Sequence, residues 1–229
     1  RRDPAWSETL HKQFLAWTDA PARRNVGGVD MGQVVMHLRE ALPANAVIAN
    51  GAGNFATWVH RYYRFNRYGT QVAPTSGSMG YGFPAAIGAA FVDRSRPVVC
   101  VAGDGDFLMT GQEFATAVQY DLPVIVIVSD NGMYGTIRMH QEREYPGRVS
   151  GTMLKNPDFA AYARAFGGHG ERVERTEDFA AAFERARASG KPALIHCLVD
   201  PEAITPATTL AAIREKALAA AEKAAPGAG

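Results

Sequence analysis

With 229 residues and 47% hydrophobic content, the chain can bury a full core, enough for one large α/β domain rather than two. Lys and Arg (24) balance Asp and Glu (23), so a net charge of +1 gives no electrostatic footprint for nucleic acid or an anionic membrane surface, and no apolar run is longer than a strand, which excludes a membrane-spanning helix. Cys100 and Cys197 both sit inside apolar runs and read as buried free thiols in the reducing environment of the cytoplasm.

Residues 1–25 carry Trp6, Phe14, Leu15 and Trp17 and read as a linker or N-terminal extension that packs on another surface; the main domain then runs over 26–205 and a helical tail over 206–229. Asp30 is placed to cap a helix reaching Leu42, with apolar residues at Met31, Val34, Val35, Leu38 and Leu42, and Pro43 ends it. Ala46–Asn50 is a short apolar strand, followed by the turn Gly51-Ala52-Gly53-Asn54-Phe55-Ala56. Pro84–Phe91 predicts a helix of small residues. Pro97–Ala102 and Pro123–Ser129 have the length and β-branched content of strands buried on both faces. Between them Gln112–Tyr120, with Phe114 and Val118 on one side, predicts the helix of a strand–helix–strand crossover, which makes the two strands parallel. The stretch from Gly132 to Thr152 reads as irregular. Pro157–Phe166 and Thr176–Ser189 predict two more helices, Ala193–Val199 the last strand, and Thr208–Ala224 a terminal helix with Lys and Glu on a solvated face. The expected fold is α/β, a mostly parallel central sheet with helices on both faces in a Rossmann-like three-layer arrangement.

Function is written at the ends of the two apolar strands. The first closes in Gly103-Asp104-Gly105 and the second in Asp130-Asn131, so a carboxylate and an amide oxygen are delivered from neighbouring strand termini, where ligands bind in open parallel sheets. One carboxylate, one amide oxygen and a backbone carbonyl, completed by phosphate oxygens, suit octahedral Mg²⁺. Glycines at 103, 105, 132 and 135 let backbone N–H groups approach an anionic cofactor closely.

Gly-Asp-Gly, an apolar strand and then Asn at its end together resemble the signature of thiamine-diphosphate enzymes, in the branch holding acetolactate synthase, benzoylformate decarboxylase and pyruvate decarboxylase. That pattern usually ends in two asparagines; Asp130 takes the first place here and Asn131 matches the metal ligand. Ala73–Gly88 resembles the stretch of that family that holds the aminopyrimidine ring. The resemblance implies metal ligation by Asp104, Asn131 and the Met133 carbonyl, and a cofactor seat formed by Gly53, Asn54, Gly77, Ser78, Met79, Gly103, Gly105, Asp106, Tyr134 and Gly135. Met79 would wedge the cofactor into its bent shape, and His140, in the loop after the metal ligand, is a candidate proton shuttle. Acetolactate synthases commonly carry a histidine where this chain has Phe55. The substrate so implied is a 2-keto acid, and the assembly a homodimer or homotetramer.

The family also needs a glutamate on the pyrimidine N1′, supplied by a separate domain, and no segment here resembles that domain. Glu113 reads as structural, and Glu40, Glu142 and Glu144 lack supporting context. The chain therefore reads as the diphosphate-side half of an enzyme, a fragment or a split subunit, inactive alone, whose partner is a pyrimidine-side domain of the same or another chain. Two other readings stand beside it. Gly51–Ala56 also fits a Rossmann turn, with Arg61, Arg64 and Arg67 as candidates for an NADP 2′-phosphate, although no acidic residue follows it before Val92. The third reading is a non-catalytic assembly domain that keeps the fold.

Overall fold

The computed structural model describes residues 4–19 and 27–224. Six strands, β1 (Val47–Asn50), β2 (Gln71–Val72), β3 (Val98–Gly103), β4 (Ile125–Asp130), β5 (His169–Val173) and β6 (Ala193–Leu198), form one sheet in the order β2-β1-β3-β4-β6-β5, and every pair is parallel. Ten α-helices surround it among the described residues: α1 (Pro4–Asp19), α2 (Met31–Ala41), α3 (Ala56–Tyr62), α4 (Gly82–Val92), α5 (Asp104–Phe107), α6 (Phe114–Gln119), α7 (Gly135–Glu144), α8 (Phe159–Ala165), α9 (Phe179–Ala188) and α10 (Leu210–Ala224). None of them is long and apolar enough to cross a membrane.

The strands read as continuous apolar runs because both faces of the sheet are covered. All six residues of β3 and of β4 are buried. Successive side chains feed opposite cores: Val99, Val101, Ile125 and Ile127 pack with α2, α3 and α9, whereas Val98, Cys100, Val126 and Val128 pack with α4, α6 and α8. Asp30 caps α2 by accepting from the Gly32 and Gln33 N–H groups, as its position before the apolar stripe predicts.

Several elements were not expected, among them α1, α7 and β5. Residues 4–19, within the stretch read as a linker or N-terminal extension, form a helix; Trp6, Leu10, Phe14 and Trp17 recur at helical spacing, and the end of α1 is pinned where Asp19 meets Arg39 and Arg64. The rest of the 1–25 extension, and residues 225–229 of the tail, lie outside the described residues. The segment after Asn131 is not irregular throughout, since it contains α7. That helix is polar and has no apolar stripe to reveal it; Glu142, almost fully buried, pairs with Arg138 one turn back and with Arg214 of α10 at 2.7 Å. β5 also escaped the pattern, because His169-Gly-Glu-Arg-Val173 is polar and only partly covered at the sheet edge.

Candidate functional site

From β1 the chain moves to β2 on one side and to β3 on the other, so the direction of winding reverses between β1 and β3, and a cavity of about 440 Å³ opens beyond their carboxyl ends. The turn after β1 supplies Gly53, Asn54 and Phe55, the end of β3 supplies Gly103 to Asp106, and the end of β4 leads through Ser129 and Asn131 into Met133, Tyr134 and the first turn of α7. Gly77 and Met79 reach it from the loop before α4, and Ile204 from the segment before α10. Residues expected from three separate sequence segments thus line one space.

Two expected residues do not. Ser78 is exposed, its hydroxyl 2.9 Å from that of Ser76, and His140 is exposed on α7 beside Arg143; neither lines the cavity. His140 follows Thr136 by four residues and shares its face of α7, but it sits one turn, about 6 Å, further along the axis and so lies beyond the cavity that Thr136 and Ile137 line. Met79 is 37% exposed at the cavity rim and so is no core methionine.

The floor is acidic and buried. Asp104, 3% exposed, accepts from the Gly105 N–H at Oδ1, and from the Gly132 N–H and Asn156 Nδ2 at Oδ2. Burial, with Asp130 close by, pushes its carboxyl up to about 7. Asp130 is also buried, which acts in the same direction, but hydrogen bonds from His196 and Asn156 outweigh that and hold it below the ordinary carboxylate range. Asp106 staples two loops together, since its Oδ1 accepts from Ala52 N–H and Gly80 N–H; burial raises its carboxyl to about 6. Asn54 is already engaged, with its side-chain oxygen on the Thr136 hydroxyl and its Nδ2 on the Met139 sulfur.

This set fits a metal–diphosphate group. Among the described residues no Lys, Arg or His side chain lines the cavity, so an anion there needs a cation and backbone amides. The ligand types available, a carboxylate, an amide and carbonyls, are hard oxygens, and no cluster of three His, Cys, Asp or Glu competes for a softer ion among the described residues. Gly135, Thr136 and Ile137 begin α7 at the wall, where helix N–H groups lack intrahelical partners. One wall is apolar instead. A Cβ built on Gly53 or on Gly103 would lie 2.7 Å from the Phe55 ring, so both glycines make room for that ring.

Asn156 and His196 were not legible as site residues. Asn156 stands in a loop before Pro157 with nothing in its spacing to mark it. His196 did carry a signal, because a histidine inside a strand buried on both faces needs a polar partner.

An open parallel α/β sheet whose hard-oxygen cavity sits at the winding reversal defines a domain built to take an anionic cofactor through its strand ends. The family described as thiamine pyrophosphate enzyme, C-terminal TPP binding domain, matches residues 51–197, and the chain belongs to it. It is 33% identical over 169 residues to the large subunit of acetolactate synthase isozyme 2 of Escherichia coli, covering 73% of this chain and 31% of that protein. Among solved structures it resembles the thiamine diphosphate-dependent 4-hydroxybenzoylformate decarboxylase of Rhodococcus jostii, with a TM-score of 0.73 at 29% identity over 79% of this chain and 34% of that one. The benzoylformate decarboxylase of Polynucleobacter necessarius gives 0.70 at 28% identity, covering 81% and 34%. The chain therefore spans about a third of the length of these relatives. Two of the three arginines of the NADP reading are engaged elsewhere: Arg61 lies over Trp17 and bonds its carbonyl, and Arg64 is held by Leu15, Thr18 and Asp19.

Proposed function

We propose that this chain is the diphosphate- and Mg²⁺-binding half of a thiamine-diphosphate-dependent enzyme acting on 2-keto acids, by decarboxylation or carboligation, in the cytoplasm. The observation that carries it is a hard-oxygen pair, buried Asp104 and part-exposed Asn131, in a cavity that no cationic side chain lines among the described residues. Asp104, Asn131 and the Met133 carbonyl would hold the ion, and the α7 amides would receive a diphosphate whose charge the ion offsets. Gly77 and Met79 would hold the pyrimidine edge, with the Met79 thioether as the wedge that bends the cofactor. When bound, thiamine diphosphate supplies the nucleophilic carbon and the electron sink that the chemistry of a keto acid requires.

The activating glutamate comes from a pyrimidine-side domain of the same or another chain, within a homodimer or homotetramer. Two observations support this. No glutamate lines the cavity among the described residues: Glu113 accepts from the Thr116 hydroxyl, Glu142 is consumed by two arginines, and Glu40 and Glu144 are exposed elsewhere. Beside Met79, the side chains of Tyr81, Leu108 and Met109 are 39%, 44% and 47% exposed, an apolar rim suited to a docking domain.

Calorimetry with thiamine diphosphate and Mg²⁺, set against NADPH, tests the reading. Heat of binding is expected only with both thiamine diphosphate and the metal, and Asp104→Ala should remove it. Binding of NADPH, or binding of thiamine diphosphate unchanged by EDTA, would overturn the proposal.

A further inference from the structure

We infer that Asn156 and the buried Asp130–His196 pair are positioning residues for the Asp104 carboxylate, holding one of its oxygens so that the other is presented to a cation. The inference rests on the metal-binding reading above and names residues that reading does not use.

Two carboxylates lie side by side at the ends of β3 and β4, each almost fully buried, an arrangement that repels itself unless donors stand between them. Asn156 is such a donor. Its amide nitrogen is 2.7 Å from Asp104 Oδ2 and 2.7 Å from Asp130 Oδ1, and its two hydrogens can serve one carboxylate each. The Gly132 N–H bridges the same two oxygens at 2.9 Å each. The remaining oxygen of Asp130 meets His196 Nε2 at 2.8 Å. His196 is 2% exposed on β6, and Phe159 sets its ring edge-on at a centroid distance of 5.0 Å.

The bracket therefore ties together β3, β4, β6 and the loop entering α8. That loop is itself fixed, because Asp158 caps α8 by accepting from Ala161 N–H at 3.0 Å and Phe159 is buried against Phe107. Two consequences follow for a cation. Oδ2 of Asp104 is committed to Gly132 and Asn156, which leaves Oδ1, bonded only to the N–H of the next residue, as the oxygen that can ligate. Both oxygens of Asp130 are committed as well, so Asp130 is kept from becoming a second anionic ligand, while its neighbour Asn131 lines the cavity. Of this side-by-side pair, only Asp104 then offers a carboxylate oxygen to a cation, and neutral oxygens and the cofactor's phosphates would supply the rest.

The test is Mn²⁺ titration of the chain with thiamine diphosphate, followed by electron paramagnetic resonance. Asn156→Ala should weaken Mn²⁺ binding about 10- to 100-fold, the usual cost of losing a partner behind a metal ligand, and should alter the line shape of the bound ion. His196→Leu should weaken it about tenfold, and His196→Gln, whose amide can still donate to Asp130, should recover most of that loss. Thermal midpoints in EDTA report folding separately, and Asn156→Ala, in a half-buried loop, carries the test if His196→Leu does not fold. Wild-type binding with Asn156→Ala within twofold and of identical line shape would overturn this inference alone. A wild-type chain that binds no Mn²⁺ with the cofactor would overturn the metal-binding reading and this inference with it.

Discussion

The two ends of the sheet differ in a way that volume conceals. At the amino ends of β3 and β4 lies a cleft of about 790 Å³, larger than the 440 Å³ cavity at the carboxyl ends, and Arg94, Arg96, Arg187 and Lys191 line it. Helix polarity separates the two. At the carboxyl ends of the strands α7 presents its amino terminus, with unpaired N–H groups, whereas at the amino ends α2 and α9 terminate and expose carbonyls. Carbonyl groups engage cations of the larger cleft, since Arg96 bonds those of Asn45 and Gly69, and Arg187 stands in the last turn of α9. The smaller cavity reverses the arrangement, with buried acids below and amide dipoles beside them. Placement of backbone polarity, more than size, marks the end that takes an anion.

The largest effect should come from releasing α7. Glu142→Ala leaves Arg138, 8% exposed, without its partner and frees Arg214, so the chain should lose about 3 kcal/mol of stability, read as a lower urea midpoint at unchanged slope. Its carboxyl is held at about 2, chiefly by Arg214, against an ordinary 4.5. The stabilisation is therefore complete above pH 4.5 and is lost as the pH falls from there towards 2; acid unfolding of Glu142→Gln should lack that component.

Gly103→Ala addresses the apolar wall. The new Cβ would press on the Phe55 ring, and overpacking of this kind costs about 2 kcal/mol. Thermal unfolding measures it, and a double variant with Phe55→Ala should recover part of the loss.

Phe55→His sharpens the electrostatic side of the comparison. A protonated imidazole at that wall adds a cationic side chain that no described residue supplies to the cavity, so thiamine diphosphate should bind up to about tenfold tighter below pH 6.5 and gain little above it. Calorimetry at two pH values reads the difference. The smallest effect is expected at the other end: Arg94→Ala and Lys191→Ala should leave cofactor affinity within about twofold, the scale of distant surface charges. A larger loss from either would break the comparison.

The fold was open to reading wherever burial was complete. β3, β4 and β6 are largely apolar and preceded by Pro97, Pro123 and Pro192, the helices of 30–42 and 176–189 showed a stripe and cap and that of 208–224 its alanine-rich composition, with boundaries shifted by up to three residues. Where one face is wet or where ion pairs replace apolar contacts, the pattern fell silent, as in β5 and α7. α1 is a third case: Trp6, Leu10, Phe14 and Trp17 keep helical spacing but are 61%, 43%, 47% and 52% exposed, so their stripe does not feed the core that reveals the other helices.

The sequence by itself determined that an acid and an amide close two neighbouring strands, because strand length, terminal glycines and residue type are all local properties. Tertiary structure alone decided how those groups are held. Asn156 and His196 lie 52 and 66 residues from Asp104 and Asp130, their respective partners, and only the pairing of β4 with β6 and the turn into α8 brings them within hydrogen-bond reach. Short-range chemistry can name a ligand, whereas its orientation depends on contacts made by chain that is distant in sequence.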